Sequence, residues 1–369
     1  MFTGKNPNGN PRILVAPLDW GLGHATRCIP VIYELIAQNV EVWLAGEGSQ
    51  ETLLRKEFPS LPFLSLTGYR VKYGRSASGL IRNLIFQWPA LSRSIRREHR
   101  WLEQMINENH FDAVISDNRF GLYHSSVPCI FITHQLFIKS PLGKWTESLL
   151  QRYNYRFINH FTACWVPDNE KGNDLAGDLS HPKNLPAIPV SYTGILSRLK
   201  QSDLPVKKGH LFISLSGPEP QRSLLEDKLV NQLSHYNGTA VLVRGLPDGS
   251  RLIPSTNDIH FYNHLSTDQY ELEMAKADYV ISRSGYSTVM DLAIMRKKSI
   301  LIATPGQTEQ EYLSRYLEER KIALCLAQDE FKLEEALKKA AEFSYSKMEN
   351  TGNSLSATIA RFLSTLKAG

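Results

Sequence analysis

The chain has 369 residues, too long for one ordinary domain, so two are expected. With 42% hydrophobic and 21% charged residues it is not a disordered chain, and no window supplies the ~18 apolar residues of a membrane span. The net charge of +5 is mild, and Cys28, Cys129, Cys164 and Cys325 form no CxxC pair and no zinc spacing, which reads as reduced thiols in a cytoplasmic protein.

A polar stretch, "MFTGKNPNGNPR", leads into "RILVAP", an apolar run too short for a signal-peptide core. A helical pattern follows, with Cys28, Ile29, Ile32, Leu35 and Ile36 on one face. Next come "VEVWLAG", "PFLSL", a long basic segment, "FDAVISD", "PCIFITH", an amphipathic stretch at 145–158 and "TACWVPD". From 186 to 209 the pattern breaks into Pro, Gly, Ser and Lys, as a linker would. The scheme then restarts with "HLFISLSG", a helix over 219–235, "TAVLVRG", "IHFYN" and a helix over 268–277. It continues with "DYVISRSG", a helix over 286–296, "SILIATPG", a helix over 309–319, "IALCLA", and a helical segment over 331–367. Such alternation predicts an α/β protein of two Rossmann-like parallel-sheet domains facing across a cleft. The expected boundaries are 1–195, 196–345, and a C-terminal helix over 346–369 packing back on the first domain.

Charge is uneven along the chain. From Tyr69 to Arg100 stand Arg70, Lys72, Arg75, Arg82, Arg93, Arg96, Arg97 and Arg100 against one acid, Glu98. Leu80, Leu84, Ile85, Phe86, Trp88, Leu91 and Ile95 lie among them. The segment reads either as a solvated helix with a buried stripe or as a surface for anionic lipid, charge drawing it in and apolar side chains dipping below the headgroups. Nucleic acid is not expected, since no binding motif is present and aliphatics outnumber stacking aromatics.

Four loops at strand ends carry chemistry: "DWGLGH" and "SDNRF" in the first half, "SLSGPEP" and "SRSGYSTVMD" in the second. Ser216 and Gly217 lie between a strand and a helix, where unpaired N–H groups and the helix dipole favour an anion. Ser284 and Gly285 make a second such turn. Thr288 and Asp291, three apart, share a helix face, and a carboxylate there can accept both hydroxyls of a ribose. In "ATPGQTEQEY", Gln307, Gln310 and Glu311 can hydrogen-bond sugar hydroxyls or simply form a solvated first turn.

The second half resembles the donor domain of GT-B-fold glycosyltransferases, most closely glycosyltransferase family 28, which includes the enzyme acting on the lipid-linked peptidoglycan precursor. The family pattern falls on Ser284, Gly285, Thr288, Asp291, Gln310 and Glu311. The resemblance implies ribose contact by Asp291 and sugar contact by Gln310, with Glu311 departing from the family's Gln. Of the phosphate loop only Ser216 and Gly217 carry over. In the first half the closing Gly-His of the family's loop matches Gly23 and His24, with Gly21 before them, and "FITHQ" matches a His-bearing strand end at His134 and Gln135. These residues and Asp19 are the expected acceptor side.

A transferase of this kind activates an acceptor hydroxyl and stabilises a departing diphosphate. No aspartate here has another two residues on, so the sequence lacks the Asp-x-Asp of metal-dependent transferases. Phosphate contact is expected from backbone amides, helix N-termini and hydroxyls, with Arg283 or Arg222 as cationic help. His24 is the leading base, with Asp117 at the end of "DAVISD" placed to fix its tautomer; Asp19 and His134 are rivals. The expected activity is inverting transfer of a hexose or N-acetylhexosamine from a UDP-sugar to a lipid-linked or envelope glycan, without metal or further cofactor, on the inner face of the membrane. The alternatives are a UDP-N-acetylglucosamine 2-epimerase, a dinucleotide oxidoreductase (weakened by Thr26 where a third Gly or Ala belongs) and a non-catalytic nucleotide-sugar binder.

Overall fold

The computed structural model describes residues 9–69, 77–247, 249–346 and 354–367, with backbone alone at 77–90 and 367. The chain folds as two units. In the first, β1 (Arg12–Pro17), β2 (Glu41–Gly46), β3 (Phe63–Ser65), β4 (Ala113–Asp117), β5 (Cys129–Ile132), β6 (Ala163–Val166) and β7 (Val190–Tyr192) form a sheet ordered β3-β2-β1-β4-β5-β6-β7. Its helices are α1 (Leu22–Ala37), α2 (Gly48–Glu57), α3 (Ala77–Asn109) and α4 (Lys144–Ile158). Every pairing is parallel. Parallel strands are buried on both faces, which explains the unbroken apolar runs: Ile13, Leu14, Val15 and Ala16 are all fully buried.

The second unit begins at Ser197. Its strands are β8 (Lys207–Ser214), β9 (Thr239–Val243), β10 (Ile259–Tyr262), β11 (Ala277–Ser282), β12 (Ser299–Ile302) and β13 (Leu324–Leu326), ordered β10-β9-β8-β11-β12-β13. They alternate with α5 (Gln221–Leu233), α6 (Thr267–Lys276), α7 (Tyr286–Ile294), α8 (Thr308–Glu319) and α9 (Leu333–Glu342). In each sheet the order reverses direction beside the first strand, at β1/β4 and at β8/β11. Those switch points open a crevice at the carboxyl ends of the strands, the usual ligand site of such sheets.

Several elements differ from the sequence expectation. Part of the expected linker is strand: β7 pairs with β6, and β8 begins at Lys207. A three-residue strand directly after a proline has too little pattern to stand out. The final helical segment is two helices, α9 and α10 (Ser354–Lys367). The second of these groups with the first unit. There Ser356 donates to the Glu34 carboxylate at 2.7 Å, and Phe362 packs edge-on against Trp165. Ile36, expected on the buried face of α1, is 40% exposed, while the cation Arg27 is buried in that face.

Buried charge ties the loops around the first switch point together. Arg119 and Glu98 form an ion pair with neither side chain appreciably exposed. Arg119 also donates to the carbonyls of Pro17 (3.1 Å) and Thr67 (2.8 Å), while Glu98 accepts from the Tyr69 hydroxyl and the Gly121 N–H. An ion pair so satisfied fixes geometry more than it adds stability. It joins α3 to the ends of β1 and β4. Of the basic segment, Arg70, Lys72, Arg75 and the side chains of 77–90 lie outside the described residues. In the described part of α3, Ile95, Leu102 and Ile106 face the core, and Arg93, Arg96, Arg97 and Arg100 are exposed around a hollow of about 560 Å³.

Candidate active site

At the first switch point Pro17 and Asp117 are register partners, so the carboxylate ending β4 lies beside the loop leaving β1. That loop turns at Gly21, whose φ of 83° is left-handed and favours glycine. Gly21 is the N-cap of α1, and Gly23 lies inside the first helical turn. Gln50 pins the turn by donating to the carbonyls of Leu18 and Gly21. The helix then presents His24 and Arg27, three apart on one face, to Asp117.

The His24 Nδ1 lies 3.2 Å from an Asp117 carboxylate oxygen and 2.9 Å from the Arg27 guanidinium. Arg27 donates to both carboxylate oxygens of Asp117 and sits 3.1 Å from the Nδ1 of His134. Cys28 donates weakly to the same carboxylate from 3.6 Å. Asp117 is fully buried, whereas the His24 side chain keeps 16% exposure. Burial pushes the Asp117 carboxyl up, but Arg27 and His24 more than offset this and hold it at about 2. Burial lowers His24 below its ordinary 6.5 and Arg27 adds to this, against the opposing pull of Asp117. At neutral pH the arrangement is therefore an ionised carboxylate, a guanidinium and a neutral imidazole with an accessible edge. That imidazole is able to accept a proton.

The other expected acceptor-side residues divide. His134 is buried and joined to His24 and Asp117 through Arg27. Gln135 is held through its backbone, its N–H donating to the Thr133 hydroxyl and its carbonyl accepting from Asn154. The Asp19 carboxylate accepts from the Tyr69 N–H at 3.0 Å and lies so close over Gly68 that a Cβ there would overlap it. Asp19 thus fastens the 67–69 loop.

In the second unit, Ser216 and Gly217 are exposed in the loop after β8. Gly285 is the N-cap of α7, with open space where a Cβ would stand. Ser284 is buried and donates to the Gln310 carbonyl at 3.0 Å. The Gln310 side chain accepts from the Thr304 N–H (2.9 Å) and donates to Gln307 (2.6 Å), and Glu311 accepts from the Gly306 N–H (2.9 Å). These groups, expected to meet a sugar, here brace the turn between β12 and α8. Thr288 is half-buried one turn before Asp291. Asp291 itself is buried and accepts from the Ser197 hydroxyl at 2.5 Å. Burial raises its carboxyl to about 6, with Arg198 and Ser197 opposing.

Both expected cations are committed elsewhere. Arg283 is fully buried, and its guanidinium donates to the carbonyls of Gln221, Ile302 and Ala303, so it ties the end of β12 to the start of α5. Burial lowers it to about 10. Arg222 pairs with Glu219 and Glu226, and Glu226 also pairs with Arg244. Among the described residues, Asp168, Asp174 and His181 place metal-capable atoms near one another. The Asp168 carboxylate accepts from the Leu175 and Ala176 N–H groups and the Ser180 hydroxyl, and Asp174 from the Gly172 and Gly177 N–H groups. The cluster thus folds its own loop.

Residues 253–366 match the family model described as "Glycosyltransferase family 28 C-terminal domain". The fold is similar to that of the glycosyltransferase SnogD from Streptomyces nogalater (TM-score 0.63, 13% identity, 97% of this chain and 100% of that one). It is also similar to Phytolacca americana UGT2, solved with UDP-2-fluoro-glucose and pterostilbene (0.60, 14%, 97% and 100%), and to Acinetobacter baumannii MurG (0.57, 12%, 96% and 99%). No curated sequence matches. The chain has the two-domain GT-B fold, and its residues 253–366 match the family 28 C-terminal domain.

Two groups of these sites escaped the reading of the sequence. Arg27 had a local signal, a cation three residues after His24 in an otherwise apolar helix face, which requires a buried acid. Ser197 had none, because its partner is 94 residues away. Among the described residues no helix is long and apolar enough to cross a membrane.

Proposed function

We propose that the enzyme transfers a hexose or N-acetylhexosamine from a UDP-sugar to a hydroxyl acceptor, inverting the anomeric centre and using no cofactor beyond the donor. The observation that carries this reading is the His24–Asp117 pair at the β1/β4 switch point. His24 takes the acceptor proton, the acceptor oxygen bonds to the anomeric carbon, and the carbon–oxygen bond to the nucleoside diphosphate breaks. Asp117 keeps the imidazole oriented and stabilises the imidazolium that forms. Asp291 receives the ribose hydroxyls, and the amides around Ser216–Gly217 and Ser284–Gly285 receive the diphosphate. The crystal structure of UGT2 with a UDP-sugar supports this donor class by analogy of fold.

A thermal-shift screen over nucleoside diphosphates and their sugars tests the donor assignment, since a ligand of the native state raises its apparent stability. UDP and one UDP-sugar are expected to raise Tm above their adenosine and guanosine counterparts. A shift confined to a purine nucleotide overturns the assignment. Sugar turnover without acceptor would favour the epimerase instead.

The acceptor is proposed to be lipid-linked or part of an envelope glycan, with the enzyme resting on anionic lipid at the inner face of the membrane. Support comes from the exposed Arg93, Arg96, Arg97 and Arg100 on α3, a spacing that puts four cations on one helix face. Sedimentation is expected with phosphatidylglycerol vesicles and not with phosphatidylcholine vesicles, and is expected to weaken as salt rises. Equal behaviour with both lipids returns α3 to a solvated helix.

A further inference from the structure

We propose that Arg27 is a positioning residue for the transfer base, competing with Asp117 for the Nδ1 of His24 and so deciding which ring nitrogen carries the proton. This rests on His24 being the base. A guanidinium has donors only, so at 2.9 Å it meets Nδ1 as an acceptor, and the single ring proton of a neutral imidazole then sits on Nε2. Asp117, 3.2 Å from the same nitrogen, requires the opposite tautomer, with Nδ1–H donating to it and Nε2 carrying a lone pair. One nitrogen cannot serve both partners. Only the tautomer held by Asp117 can receive an acceptor proton at Nε2.

The geometry makes Arg27 a competitor that cannot simply be removed. Its other contacts neutralise Asp117, which is fully buried and would otherwise be an uncompensated charge. It also reaches the Nδ1 of His134, so one side chain of α1 links the ends of β4 and β5. The charged and titratable groups against His24 among the described residues are Arg27 on its own helix, Asp117 after β4 and His134 after β5, with Cys28 beyond the carboxylate. Of these, Arg27 is the one that offers both a full positive charge and a fork of donors. The two properties separate on substitution: Arg27→Lys keeps the charge and loses the fork, and Arg27→Met loses both.

The test is nitrogen-detected NMR of the His24 imidazole in the full-length enzyme, with the pH dependence of kcat/KM beside it. In the wild type, free of substrate, the Nε2–H tautomer is expected to predominate. In Arg27→Lys the Nδ1–H tautomer is expected to take over while the acid limb of kcat/KM stays near its wild-type position. In Arg27→Met the tautomer moves the same way and the acid limb shifts to higher pH, because a cation that disfavours the imidazolium is gone. A wild-type ring already carrying Nδ1–H, or a tautomer unmoved by Arg27→Lys, overturns the proposal. The wild-type spectrum decides its first half even where both variants fail to fold. Failure of the base reading is distinguishable, since it shows as undiminished turnover in His24→Ala whatever the spectrum of Arg27 variants.

Discussion

His24→Ala is expected to lose 10²- to 10⁴-fold in kcat, the range that general-base assistance ordinarily supplies, while UDP binding measured by calorimetry is unchanged. The side chain belongs to the first unit and contacts Asp117 and Arg27, whereas the proposed nucleotide contacts belong to the second. Removing it therefore separates chemistry from donor affinity. The wild-type profile adds a second reading of the same variant. Burial and Arg27 lower His24 below 6.5, so kcat/KM is expected to rise with pH along an acid limb centred below that value and to be flat through neutrality. In the variant this limb disappears with the activity. Turnover within a few-fold of wild type would remove His24 as the base, and the neighbouring His134 would become the next imidazole to substitute.

Asp291→Asn is expected to bind UDP about 100-fold more weakly and, at the same time, to be more stable than the wild type at pH 8. The first effect follows from losing charge-assisted hydrogen bonds to two ribose hydroxyls. The second follows from the raised carboxyl. With a folded value of about 6 against an ordinary 3.8, the ionised side chain disfavours the folded state. The penalty is absent well below 3.8, where the carboxyl is neutral in both states, grows as pH rises from 3.8 to about 6, and levels off above it. Its size is on the order of 3 kcal/mol. Asparagine keeps an acceptor for the Ser197 hydroxyl and carries no charge to bury. Chemical denaturation at pH 8 and pH 4 checks this: most of the gain appears at the higher pH and only a small part of it at the lower. A variant that is less stable at pH 8 and still stabilised by UDP would remove Asp291 from the ribose site. Groups that bind ligands commonly sit in positions that cost stability, and this carboxylate has that character.

The fold was legible because its period is simple. Runs such as "RILVAP" and "DAVISD" have unbroken apolar centres, since strands buried on both faces have no solvent side to alternate with, and such runs became strands of the two sheets. Where burial is partial the signal fades. The strand at 190–192 is half-buried and follows directly on Pro189, and it looked like linker. His24 and Asp117 were readable as a pair because strand order in a parallel sheet brings the ends of β1 and β4 together whatever lies between them in sequence.

Side-chain commitments were not readable in the same way. Arg283, Gln310 and Glu311 have the chemistry to meet phosphate and sugar, and sequence position puts them at strand ends. Gln310 and Glu311 brace the turn of their own loop, while Arg283 meets carbonyls of Gln221, Ile302 and Ala303 that become close only once β8, β11 and β12 lie side by side. Asp291 likewise owes its raised carboxyl to burial, a property of the packed unit and not of its helix. The sequence by itself determined the two parallel sheets, their switch points and the residue types gathered there, because hydrophobic period and chain order suffice for those. Only the tertiary structure decided which of the polar groups are consumed in bracing loops and which remain poised, because hydrogen-bond partners far apart in the chain meet only when the strands are in register. Arg27, signalled in the sequence only as a cation out of place and given its meaning when Asp117 lies against it, is where that difference is largest.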